Sequence, residues 1–125
     1  NENDKKKKTI DIINKYVTLG FGVIATAGTS KFLNSNGIKS ETVYKVNEGR
    51  PNIVDKIKNG EIQIVINTPL GSESRYDEYA IGWEAVQNKI PFITTLSAAS
   101  SFAEGIVNIK EDKMEVMSLQ DYYLV

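Results

Sequence analysis

Cysteine and histidine are both absent from the 125 residues. Without cysteine the chain forms no disulfide, offers no thiolate nucleophile and builds no zinc ribbon. Without histidine it has no Ser-His-Asp triad, no HExxH metal site and no imidazole to act as acid or base near neutral pH. Any catalysis would rest on carboxylates, lysines, tyrosines or hydroxyls. Long hydrophobic runs are missing as well. The longest, at 22–27 and 62–66, have the length of strands and fall far short of the ~20 apolar residues that span a bilayer. The opening NENDKKKK is polar with no apolar stretch behind it, so no secretory signal is visible and a cytoplasmic location is expected. The chain starts with Asn rather than Met, which reads as a fragment of a larger protein.

Apolar residues make up 41% and charged residues 25%, which is ordinary globular usage and predicts one domain over residues 1–125. The net charge of −1 hides an asymmetry. Residues 1–60 hold eleven basic and six acidic side chains, whereas residues 61–125 hold four and ten. A basic first half suits an anionic ligand. It is too weak and dispersed for a nucleic-acid footprint. The run of Lys5, Lys6, Lys7 and Lys8 reads as the solvated start of a helix.

Ile10, Ile13 and Val17 recur at helical spacing and predict a helix over about 6–19, ended by Gly20. GVIA at 22–25 predicts a buried strand. TAGT at 26–29 is a turn, with Thr29 placed to cap a helix that stops at Asn36 and Gly37. A strand over 41–46 follows. Pro51 suits the opening turn of a helix carrying Ile53, Val54 and Ile57, which ends at Asn59 and Gly60. Residues 62–67 form a nearly continuous apolar strand, as expected when both faces are covered. A polar loop over 68–77, a helix over 78–88, a strand over 91–96 and a helix carrying Ala98, Phe102 and Ile106 complete the pattern. Trp83 is spaced to pack with Ala80 and Val86. A short strand-like piece and a last turn are expected over 114–125. The alternation of helices and strands predicts a parallel sheet with helices on both faces, a three-layer α/β/α fold.

In open α/β sheets, ligands bind beyond the carboxyl ends of the strands. Those ends here carry Thr26 and Thr29, then Lys45, then Asn67 and Thr68, then Thr94 and Thr95. Two threonines around a glycine at a helix start offer hydroxyls and backbone N–H groups to a phosphate, whose charge the helix dipole favours. Lys45 would add positive charge, and Asn67 could orient a sugar or base. Each also has a plainer reading, Thr29 as a simple cap and Asn67 as a partner for loop backbone. Convergence of four loops at one sheet edge favours the ligand. GFGVIA at 20–25 fits a dinucleotide fingerprint in form but precedes a strand instead of joining one to a helix, so it is rejected. Asp77 and Glu78 read as a helix start, and no acid–base pair stands out.

Residues 20–29 ending in TAGT, then Lys45 and Val46, EGRPN at 48–52, IKNGE at 57–61, VINT at 65–68 and TTL at 94–96 resemble the C-terminal allosteric domain of the carbamoyl phosphate synthase large subunit. That domain has the methylglyoxal-synthase-like fold, which is Rossmann-like. The resemblance runs over about 6–124, and EGRPNIVDKIKNGEI followed by VINTP is its most specific part. It implies a regulatory module in pyrimidine and arginine biosynthesis that binds UMP as inhibitor and IMP as activator, with no chemistry of its own. Thr26 and Thr29 would hold the phosphate, assisted by Lys6 and Lys45. Val46, Asn67, Thr68, Ala80 and Ile81 would flank ribose and base. Phe92 and Thr94 match the positions near which ornithine binds. No cofactor or metal is implied for this domain. ATP, a divalent metal, glutamine-derived ammonia and bicarbonate belong to the rest of the enzyme. The implied partners are the remainder of the large subunit, the glutaminase small subunit and the effectors. A homo-oligomer through this domain is allowed, whereas nucleic acid and membrane are not implied.

The chain also departs from that pattern. Ser72 and Glu73 stand where many relatives have two arginines, and Gly82 and Trp83 replace another arginine pair. Tyr44 replaces a common Asn, and Phe92 replaces a tyrosine of some relatives. The family's first strand, central in its sheet, has no counterpart in this chain, so two exposed sheet edges are expected, giving an aggregation-prone piece or a slot filled by a partner segment. Two other readings remain. A methylglyoxal synthase shares the fold and the phosphate turn but uses histidine and an aspartate whose position here is Arg50. A docking domain with a decayed effector site would explain the lost arginines.

Overall fold

Helix α1 (Glu2–Thr18) opens the structure, a computed structural model that describes residues 2–67 and 75–111. Its buried row is Thr9, Ile12 and Tyr16, one residue out of phase with the expected Ile10, Ile13 and Val17. Two hydrogen bonds explain the rotation. Thr9 Oγ1 donates back to the Lys5 carbonyl at 2.9 Å, which lets a polar side chain be buried, and the Tyr16 hydroxyl donates to the Ala99 carbonyl at 2.6 Å. Val17 is left 41% exposed.

The chain continues through β1 (Ile24–Thr26), α2 (Ala27–Ser35), β2 (Glu41–Val43), α3 (Ile53–Lys58), β3 (Val65–Ile66), α4 (Arg75–Gln87), β4 (Phe92–Ile93) and α5 (Leu96–Glu111). This is the expected order of elements. Of the polar loop expected over 68–77, residues 75–77 belong to α4, which starts three residues earlier than expected, and residues 68–74 lie outside the described residues, as does the tail over 112–125. Gly20, Gly37 and Gly60 follow the ends of α1, α2 and α3 with positive φ, the left-handed stop that glycine adopts without a Cβ penalty. Helix α3 starts after Pro51, not at it. Asn52 is its cap, accepting from the N–H groups of Val54 and Asp55, while Asp55 accepts from the Asn52 N–H.

The strands pair as two separate parallel sheets, β1 with β2 and β3 with β4. Glu41 N–H donates to the Val23 carbonyl, so alternation turns the amide groups of Ile24 and Thr26 away from β2. Val65 and Asn67 N–H groups donate to Pro91 and Ile93, so those of Ile64 and Ile66 turn away from β4. A cavity of about 600 Å³ separates the two edges. Ladders this short explain why the strands end earlier than the apolar runs predict: an extended segment with a partner on one side alone has half its backbone bonds.

Two apolar clusters cover opposite faces of β3 and β4. Ile12 and Tyr16 of α1, Ile93, and Ala99 and Ala103 of α5 form one, with Ile64 and Ile66 packed on it. Ile57 of α3, Val65, and Ile81 and Ala85 of α4 form the other. Period-two alternation of Ile64, Val65 and Ile66 feeds both faces, as a three-layer sandwich requires. Small Ala99 and Ala103 let α5 lie close to α1, and Lys15 reaches Glu104 at 3.0 Å on the rim.

The α3 cap carries a pH prediction. Arg50 donates to both Asp55 carboxylate oxygens, at 2.6 and 3.1 Å. That pairing, and the Asn52 N–H, hold the Asp55 carboxyl below its ordinary range. Because the folded pKa is lowered, this stabilisation is complete above the ordinary carboxylate pKa and is lost as pH falls through the folded one. Thermal melts from pH 6 down to 3 are expected to drop less steeply for Asp55→Asn, which starts lower. Parallel curves for the two proteins would exclude the pairing.

Candidate ligand site at the split sheet edge

Thr26 ends β1 and is itself the N-cap residue of α2, so the expected cap at Thr29 is corrected: Thr29 sits in the first turn. The Thr26 side chain makes no capping hydrogen bond, and the first turn of α2 holds no acidic residue. The leading N–H groups of a helix have no intrahelical acceptor. The start of α2 therefore presents unpaired donors, the positive end of the helix dipole and two threonine hydroxyls in one place. Underneath, α2 is pinned to β2. The buried Ser30 Oγ lies 2.7 Å from Ser40 Oγ and accepts from Thr42 Oγ1 at 3.0 Å. This polar anchor was not foreseen, and two serines ten residues apart give no local pattern that would reveal it.

Four of the expected site residues line the cavity between the sheets: Thr26, Thr29, Asn67 and Ile81. Asn67 is half-buried, and its backbone N–H is tied to Ile93 at 2.8 Å. Ile81 reaches the cavity from the core, 5% exposed, and can offer only apolar surface. The others do not line it. Lys6 is exposed on α1, one turn before the cavity-lining Thr9. Lys45 is half-buried in a turn closed from both sides, its N–H donating to Glu48 Oε1 at 2.8 Å and its carbonyl accepting from Glu48 N–H at 3.0 Å. Val46 packs against the Ile57 cluster, and Ala80 is half-buried on α4. Phe92 packs in the same cluster with its ring over Gly82, and Thr94 is exposed. Thr68 lies outside the described residues. Lys39, just ahead of β2, lines the cavity although the sequence reading passed over it.

The neighbouring groups have structural work. Arg50 is engaged with Asp55. Thr95 Oγ1 accepts from Ala98 N–H at 3.1 Å and starts α5, which is why β4 ends before the predicted residue 96. Among the described residues no three acidic side chains gather as a metal site would require, and no helix is long and apolar enough to cross a membrane.

Short parallel strands alternating with helices on both faces define an α/β domain of the parallel-sheet class. The sequence model of the MGS-like domain matches residues 8–94, and the chain belongs to that family. It is 48% identical over 120 residues to the carbamoyl phosphate synthase large chain of Acidobacterium capsulatum, covering 96% of this chain and 11% of that one. It is 45% identical over 123 residues to the C-terminal section of that large chain in Aquifex aeolicus, covering 94% of this chain and 23% of the section. The section from Methanopyrus kandleri is also 45% identical, over 119 residues. The chain thus spans from about a tenth to a quarter of the length of the curated relatives it matches.

Proposed function

We propose that this chain is the regulatory MGS-like segment of a carbamoyl phosphate synthase large chain, and that it binds a nucleoside monophosphate at the start of α2. UMP as inhibitor and IMP as activator are the ligands proposed, with ornithine acting near Phe92 and Thr94. The observation that carries the reading is the uncapped α2 start, bracketed by Thr26 and Thr29 in the same cavity as Asn67. In this reading Thr26, Thr29 and the α2 amides hold the phosphate, Lys6 and Lys45 supply long-range positive charge, and Asn67 faces the ribose or base. The segment performs no catalysis. The ATP-dependent ligase chemistry, its metal and the contact with a glutaminase subunit lie in the remainder of the protein.

Titration calorimetry of UMP and IMP with the intact large chain tests this. Binding is expected to weaken as salt rises, because charges near the surface are screened within ~10 Å at 0.1 M. Thr26→Ala is expected to weaken it by about tenfold, the loss of one charge-assisted hydrogen bond of roughly 1.5 kcal/mol. Lys45→Ala is expected to flatten the salt dependence. Heat of binding for neither nucleotide would end the proposal.

A further inference from the structure

The buried side chains of α2 are Ser30 and Leu33. A serine that is 1% exposed must recover through hydrogen bonds the hydration it gives up. Ser30 does so within a closed set of side chains. A hydroxyl has one proton and two acceptor sites. Ser30 Oγ accepts from Thr42 Oγ1 at 3.0 Å and from Asn34 Nδ2 at a longer 3.4 Å, which leaves its own proton for Ser40 Oγ at 2.7 Å. Ser40 Oγ in turn donates to Asn34 Oδ1 at 3.2 Å, an atom that also accepts from the Ser40 N–H at 3.0 Å. Ser30, Ser40 and Asn34 thus form a ring in which each donates to the next, and Thr42 joins it from β2.

Such a ring does what apolar contact does not. Apolar burial is non-directional, so a helix held by it alone slides and rolls at small cost. Hydrogen bonds weaken steeply with misalignment, and the ring therefore fixes one roll and one height of α2 against β2. Both matter at the ligand site. Thr29 directly precedes Ser30, Thr26 opens the same helix, and groups that bind a ligand have to be held within about 0.5 Å. Ser30, Asn34 and Thr42 do not line the cavity themselves, so any effect they have on its ligand passes through α2.

We infer that Ser30 is a positioning residue of the ligand site. Tied to Thr42, Ser40 and Asn34, it aims the leading amides of α2 and the Thr26 and Thr29 hydroxyls at a phosphate monoester. A fully bonded polar network specifies one arrangement, which an apolar residue of similar size at position 30 would not. This rests on the nucleotide reading of the site.

The test is made on Thr42 in the intact large chain, with UMP and IMP titrated by calorimetry. Thr42 is exposed and off the cavity wall, and Thr42→Val keeps the branched shape that suits β2 while removing one donor to Ser30. Nucleotide affinity is expected to fall by about two- to tenfold, the worth of one hydrogen bond, with the melting temperature little changed. Thr42→Ser, which keeps the hydroxyl, is expected to bind as the parent does. Ser30→Ala, which opens the ring itself, is expected to lose more affinity than Thr42→Val. Parent-like affinity in Thr42→Val would overturn the inference and leave the nucleotide reading intact, whatever the melting temperature does and whether or not Ser30→Ala folds. A loss that Thr42→Ser fails to restore would overturn it as well, since the hydroxyl would then not be the cause. No binding of either nucleotide by the parent chain would end the nucleotide reading and this inference with it.

Discussion

Replacing Ile57 with alanine is expected to lower the unfolding free energy by about 2–5 kcal/mol, the range for emptying a filled core site of this size. Ile57 is 1% exposed and joins α3 to β3 and α4 through Val65, Ile81 and Ala85. Its removal deletes three methyl or methylene groups from the centre of one of the two clusters. A domain this size has about 5–15 kcal/mol in all, so the variant is expected to be near its limit. Denaturant unfolding measures the effect as a lower midpoint with an unchanged slope. Val86→Ala on the outer row of α4 is the contrast, expected within about 0.5 kcal/mol in the isolated segment. Equal losses at the two positions would contradict the assignment of inner and outer faces.

The second large effect concerns binding. Thr29→Asp places a carboxylate in the first turn of α2, where the proposed phosphate sits. Two unit charges about 4 Å apart repel by about 4 kcal/mol at an effective dielectric of 20, so nucleotide affinity is expected to fall by at least ~100-fold. The same substitution favours the helix, because a negative charge complements the amino end of its dipole by about 0.3–1 kcal/mol. Calorimetry and thermal melting are therefore expected to move in opposite senses: weaker binding, equal or higher melting temperature. A loss of both would mean that Thr29 supports the fold and that its effect on ligand is indirect.

Element order was legible because it rests on strong local signals. Gly37 and Gly60 end their helices, Pro51 stands just ahead of α3, and the apolar run at 62–66 feeds both faces of a sheet. What escaped the sequence depends on partners. The phase of α1 differs by one residue from that of its apolar periodicity because Thr9 and Tyr16 owe their burial to hydrogen bonds with Lys5 and Ala99, which periodicity of apolar residues does not register. The cap of α2 moved from Thr29 to Thr26 because both residue types suit the role and the end of β1 decides between them. Trp83 has core spacing yet is 55% exposed, because α4 is apolar on two sides and spacing alone does not say which side faces in. Of the candidate site, the threonine turn and Asn67 could be read from strand ends. The place of the lysines could not, since a long flexible side chain is positioned by its surroundings.

The split sheet divides the molecule in another respect. Neither apolar cluster draws a side chain from β1, α2 or β2. That portion rests on its own small set, Leu33, Ile38 and Val43, with the Ser30 anchor. It is therefore expected to open as a unit of its own, at lower free energy than the body built on β3 and β4. Backbone amides of α2 should exchange with deuterium well before those of α4. A ligand held by Thr26 and Thr29 on one side of the seam and Asn67 on the other would join the two units, so its occupancy would be registered as slower exchange across residues 24–43, far beyond the atoms it touches.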